Sequence, residues 1–251
     1  MIGRLASVAL GLLIAAGAVA ATTNELSDTE IQGRQLARQI CERLEQQPAE
    51  NLTNTVVLTI RDGRGRHSEV SVLVQTTADA TRWSTTYETT AGSNQAVLVV
   101  IHEANRQNQY QLYNSLPPAL HSPELLIGNE TMIPFAGSDF WVADLGLEFF
   151  HWPAQKILKH EMRRGRACQV LESTNPNPSP NGYARVVSWI DNETLGIVQA
   201  EAYDAKGNLL KEFYPKSFKK VNGQWELQEM EIRNDQTGSR TRLEFNLKQR
   251  D

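Results

Sequence analysis

Arg240-Thr-Arg-Leu-Glu-Phe-Asn-Leu247 places Thr241, Leu243, Phe245 and Leu247 on one side of an extended chain and Arg240, Arg242, Glu244 and Asn246 on the other. Successive side chains of a strand point to opposite faces, so this stretch is a strand with one dry and one wet face. That pattern belongs to antiparallel sheets, which leave one face to water. Residues 224–234, 208–219, 196–204 and 183–190 read as further strands of the same meander. Turns fall at 235–238, at Asn222-Gly223 and at Asp204-Ala-Lys-Gly-Asn208. Asn-Gly is the strongest two-residue hairpin signal in the chain.

The first half repeats the theme. Val56, Leu58 and Ile60 alternate, Asp62-Gly-Arg-Gly65 turns, and Val70, Val72 and Val74 alternate again, which reads as a hairpin. Strands are also predicted near 81–89, 95–102 and 107–113. Ala96-Val-Leu-Val-Val-Ile101 is apolar at every position, so both its faces need cover. An amphipathic helix over 28–47, with Asp28 as N-cap and Ile31, Leu36, Ile40 and Leu44 along its stripe, is expected to cover one of them. After a loop around Pro117 and Pro118, a short helix is predicted at 153–160 and a strand at 166–172. The proline-rich stretch 173–182 reads as a loop. The fold class is mainly β (α+β): a large antiparallel sheet with few helices. Sheets of this size curl, and the apolar concave side must be filled by side chains, a helix or a ligand.

Residues 1–20 read as a secretory signal peptide: Arg4, an apolar core from Leu5, and the small-x-small site Ala18-Val19-Ala20. Residues 21–251 are then expected to form a single exported domain that is soluble after cleavage. A net charge of −4 argues against general nucleic-acid binding. Cys41 and Cys168 would lie in an oxidising compartment, where a bridge and two buried thiols are both open.

No enzymatic constellation stands out: there is no nucleophile elbow, phosphate loop or His-Glu-x-x-His, and no cofactor is expected. His151 and His160 lack a third ligand for a metal. Asp139 and Asp144 read as caps of short helical turns rather than an acid–base pair. Arg163, Arg164 and Arg166 read as a solvated strand edge or a contact for anionic lipid. The central block Phe135-Ala-Gly-Ser-Asp-Phe-Trp-Val-Ala-Asp-Leu145 runs on to Phe149, Phe150 and Trp152. Its aromatics are either plain core or a cover over an apolar cavity. The candidate ligand-binding residues are therefore Phe135, Phe140, Trp141, Leu145, Phe149, Phe150 and Trp152.

Gly137-Ser-Asp-Phe140 with Asp144-Leu145 is followed in order by Gly165…Cys168-Gln-Val170, Val187-Ser-Trp-Ile-Asp191, Gly207-Asn-Leu-Leu-Lys211, Gly223-Gln-Trp225 and Thr237-Gly238. This succession, spanning roughly residues 50–248, resembles the outer-membrane lipoprotein-sorting family, the LolA-like periplasmic carriers. The resemblance implies an incomplete antiparallel β-barrel closed by a few helices around a cavity for acyl chains. It implies a periplasmic location, lipid or lipoprotein acyl chains as cargo, and inner- and outer-membrane envelope proteins as partners. An interaction or sensor module using the same fold without cargo is the alternative.

Overall fold

The computed structural model describes residues 26–45, 52–78, 82–90, 95–103, 106–114, 122–221 and 224–247. The signal-peptide reading of 1–20, the Pro117-Pro118 loop and the Asn222-Gly223 turn lie outside the described residues.

Helix α1 (Asp28–Glu45) is followed by β1 (Leu52–Arg61), β2 (His67–Ala78), β3 (Arg82–Thr89), β4 (Val97–Glu103), β5 (Gln109–Tyr113) and β6 (Glu124–Leu126). After a 3₁₀ turn (Gly128–Thr131), α2 (Val142–Leu145) and a second 3₁₀ turn (Glu148–His151) come β7 (Ala154–Arg163), β8 (Arg166–Thr174), β9 (Arg185–Asp191) and β10 (Ile197–Tyr203). Strands β11 (Leu209–Val221), β12 (Gln224–Asn234) and β13 (Ser239–Phe245) complete the chain. The described strands form one antiparallel sheet of 13, ordered β6-β5-β4-β3-β2-β1-β13-β12-β11-β10-β9-β8-β7 and not closed into a barrel.

Nearly every neighbour in that order is a neighbour in sequence. The exception is the seam, where β13 pairs with β1 through Val56↔Phe245, Leu58↔Leu243 and Ile60↔Thr241. The register puts apolar partners opposite one another, and a slip of one residue would turn both sets toward water. Across β13, Met230 faces Leu243 and Ile232 faces Thr241. One face thus carries a continuous core from Leu98 and Val100 through Val56, Leu58 and Leu243 to Phe213, Ile190 and Leu171. The opposite face holds a smaller cluster of Cys168, Val170, Val187 and Trp189. There Arg163 lies over Trp189 and Arg185 over Tyr203, 4.6 and 3.9 Å from the ring centroids.

Because β6 and β7 are the two ends of the sheet, the chain between them has to cross it from edge to edge. It does so on the apolar face: Phe135, Phe140, Val142, Phe149, Phe150 and Trp152 are all in the main core. We call residues 127–153 the strap.

Several expectations are corrected. The stretch predicted as a helix at 153–160 lies in strand β7 from Ala154 onward. Gln155 and Ile157 are buried while Lys156 and Leu158 are exposed, a period of two that pairs with β8. The N-cap of α1 is Ser27, not Asp28: the Ser27 carbonyl accepts from Glu30 and Ile31, and Glu30 Oε2 accepts from the Ser27 amide at 2.8 Å. The Ser27 hydroxyl also donates to Glu30 Oε2 at 2.7 Å, so the N3 glutamate closes back on the cap residue, the carboxylate half of a capping box. Ile31 is 43% exposed. The buried stripe runs through Gly33, Leu36, Ala37 and Ile40. Helix α1 packs chiefly on β7 and the second 3₁₀ turn rather than on β4. A Cβ on Gly33 would sit 2.6 Å from the backbone of Gln155 and Lys156. Only a glycine lets helix and strand backbones come this close. Cys168 faces away from the main core and is not bridged to Cys41, whose Sγ lies 3.8 Å from His151 Nε2.

Gly33→Ala should force α1 off β7. Overpacking of this kind costs about 1–3 kcal/mol. Urea denaturation should show that loss, whereas Gln32→Ala on the exposed side should change stability little.

Candidate functional site

Strap and sheet do not fill the space between them. A cavity of about 220 Å³ remains. Its walls are Val56, Leu58, Val72, Val74 and Tyr87 from β1–β3, and Ile197, Ala200, Phe213, Leu227, Met230, Leu243 and Phe245 from β10–β13. The strap closes it with Phe135, Phe140, Asp144, Leu145, Leu147 and Phe149. Of the seven residues singled out in the sequence, Phe135, Phe140, Leu145 and Phe149 line the cavity. Phe150 and Trp152 are buried in the core, and Trp141 lies in a polar cluster beneath the strap.

That cluster holds the strap down. Lys211, 1% exposed, shares strand parity with the core residue Phe213, so its ammonium points under the strap. It donates to the Asp139 carbonyl at 2.6 Å and lies 3.4 Å from Asp144 Oδ2. Its Nζ sits 3.6 Å from the centroid of Trp141, which stacks on Tyr183 at 4.5 Å. Asp144 also accepts the Tyr183 hydroxyl at 2.9 Å and the Trp141 amide at 2.7 Å. Burial pushes Lys211 down to about 8 and Asp144 upward, and their mutual attraction opposes both shifts. Asp139 caps no helix. Its carboxylate accepts from Thr241 at 2.8 Å and from Ser239, tying the turn to β13. Asp144 does act at a helix end, through the Trp141 amide.

A second latch holds the next stretch of the strap, Gly146 to Glu148. Asn108 Nδ2 donates to the Gly146 carbonyl at 2.8 Å, and the Tyr110 hydroxyl donates to Glu148 Oε2 at 2.8 Å. Gly146 lies so close that a Cβ there would be 2.1 Å from the Tyr110 oxygen. Burial lifts the Glu148 carboxyl from 4.5 to about 7, against the pull of the Tyr110 and Asn108 hydrogen bonds. Gln155 completes the anchoring, donating to the carbonyls of Phe149 and Trp152 at 2.9 and 2.8 Å.

The sequence reading missed Lys211, Tyr183, Tyr110 and Glu148. For Lys211 a signal was present: a lysine in inward register, two residues before Phe213. Among the described residues no group of three His, Cys, Asp or Glu side chains converges as a metal site. Arg163, Arg164 and Arg166 form the β7–β8 turn. Arg164 donates to the Pro215 carbonyl at 3.2 Å, and Arg166 lies 3.7 Å from Asp191. No described helix is long and apolar enough to cross a membrane.

An open antiparallel sheet crossed by a strap over an apolar cavity is the LolA-like fold, and solved structures bear this out. A DUF1329 family protein from Desulfovibrio piger superposes with a TM-score of 0.70 at 19% identity, covering 90% of this chain and 94% of that one. A domain assigned to outer membrane lipoprotein sorting, from Vibrio parahaemolyticus, gives 0.69 at 20% identity over 87% and 92% of the two chains. A LolA superfamily protein from Nitrosomonas europaea gives 0.60 at 16% identity over 90% and 95%. No curated protein matches the chain in sequence. A family model described as uncharacterized protein-like matches residues 84–250, and the chain belongs to that family.

Lys211→Met should leave Asp144 buried without its cation. Breaking a buried pair costs about 3–5 kcal/mol. Urea denaturation should show a loss of that order, smaller when Asp144→Asn is added. Glu148 makes a separate prediction. Its folded pKa of about 7 exceeds the ordinary 4.5, so the unfolded chain releases the proton first as pH rises. Stability should fall between pH 4.5 and 7 and level off above. Glu148→Gln should flatten that fall and exceed the native protein in stability above pH 7, as denaturation across pH would show.

Proposed function

We propose that the protein is a periplasmic carrier that holds lipid or lipoprotein acyl chains in the cavity beneath the strap. The observation that carries this reading is the apolar hollow itself. Among the described residues its ionisable lining groups are Asp144, already paired, and the Tyr87 phenol, whose hydroxyl lies 3.4 Å from the Leu145 carbonyl. A cavity with so little polar lining stays dry and takes apolar ligands. Each methylene moved from water into it gains about 0.8 kcal/mol. No catalytic group is needed: a concave apolar wall and a removable cover suffice.

The fold shared with the Vibrio lipoprotein-sorting domain supports the class of cargo, and the secretory reading of residues 1–20 supports the periplasm. Envelope proteins of the inner and outer membranes are the partners such a carrier would meet. The lining residues Phe135, Phe140, Leu145 and Phe149 are its ligand contacts. Trp141, Phe150 and Trp152 support the strap from outside the cavity wall.

The test is mass spectrometry of lipid co-purifying with the mature protein, together with uptake of a fluorescent fatty acid. Absence of both would leave the alternative, an envelope interaction or sensor module without cargo. Leu227 is half-buried on the cavity wall, so Leu227→Asp should fold and still lower fatty-acid affinity at least about tenfold, since one buried aliphatic side chain is worth about 1.5–3 kcal/mol. Leu125 is 62% exposed on the edge strand β6, so Leu125→Asp should leave affinity unchanged in the same titration.

A further inference from the structure

A second cavity, of about 370 Å³, lies on the other side of the strap's first turn. Its character differs from the first. Gln95 and Asn114 are among its lining residues, with Pro134, Ala136 and Gly137 of the turn, and the Asn114 amide donates to Glu124 Oε2 at 3.4 Å. Among the described residues, Phe135 is the one that lines both cavities. Its ring is 3% exposed and stands edge-on to Tyr87, with centroids 6.2 Å apart at 65°. Its backbone is pinned: the amide donates to the Phe140 carbonyl at 2.8 Å, and the carbonyl accepts the Ser138 hydroxyl at 2.7 Å. These bonds restrain the main chain and leave the side-chain torsions as the freer coordinate.

We propose that Phe135 is a gate between an inner apolar chamber and a polar vestibule, and that it sets the length of chain the protein accepts. This rests on the carrier reading and goes beyond it by naming the ligand class as a single-chain amphiphile. The tail lies in the inner chamber and the polar end faces Gln95 and Asn114. A methylene needs about the volume of a water, roughly 30 Å³. The inner chamber therefore holds about seven carbons with Phe135 closed. Longer chains fit only at the cost of swinging the packed ring aside to join the two chambers, so carbons beyond about seven add less affinity. Cargo with several chains would need the whole strap lifted, against both latches.

The experiment is a displacement titration of a bound apolar dye by monoacylglycerols of about six to sixteen carbons. It uses the native protein, Phe135→Ala and the milder Phe135→Leu, each checked for folding by thermal denaturation. Affinity should rise about fourfold per methylene while the added carbon is buried. In the native protein the rise should break near seven carbons. In Phe135→Ala the break should move several carbons longer, and Phe135→Leu should fall between and carry the test if the alanine variant is unstable. The same break in all three proteins, or an unbroken rise to the longest chain in the native one, overturns the gate. A native protein that neither takes up the dye nor binds any chain refutes the carrier reading itself, which is a different failure.

Discussion

An ammonium group taken out of water has to be met by acceptors, and beneath the strap Lys211 meets them. Its contacts with the Asp139 carbonyl, the Asp144 carboxylate and the face of Trp141 fix three points of the strap against β11. The ion pair is a costly way to hold two elements together, since desolvation opposes the attraction. Its directionality compensates for that cost. An apolar contact would let the strap slide over the sheet, whereas a buried charge with few acceptors permits one position. Asp139 adds a second directional tie, to Thr241 on the seam strand β13.

Held in this way, the strap cannot collapse fully onto the sheet. Cores close up wherever side chains are free to settle, so an apolar void of about 220 Å³ persists only where something props its walls apart. The two latches, one at Lys211 on residues 139–144 and one at Asn108 and Tyr110 on residues 146–148, provide that support along the middle of the cover. The hollow, the cover and the fastenings come from one topological fact. The chain must travel from one edge strand of an open sheet to the other, and the apolar face is the route it takes.

Much of this was legible in the sequence. The alternation in 240–247 identified the face that β13 turns inward, and the same parity located most of the other strands. In 153–160, Ile157-Leu158 beside Lys and His side chains fits a short helix as well as an edge strand, and only the pairing with β8 separates the two. Near-helical spacing of bulky residues points to a stripe through Ile31, which is exposed. Gly33 shows the reverse: the closest contact demands the smallest residue. Within the aromatic block, Phe135, Phe140 and Phe149 line the cavity while Phe150 and Trp152 pack behind it, a division that the sequence pattern does not carry.

The sequence alone determined the class of fold, the inward parity of its strands and the stretch that would cover the apolar face. These follow from local periodicity, which the chain carries residue by residue. Tertiary structure decided which strand closes the seam, where α1 docks, that Lys211 and Glu148 are the fastenings, and that the covered face is left partly empty. Those depend on contacts between residues up to about two hundred positions apart, such as Val56 with Phe245. The free energy of such pairings lies in the fit of surfaces that no single segment contains.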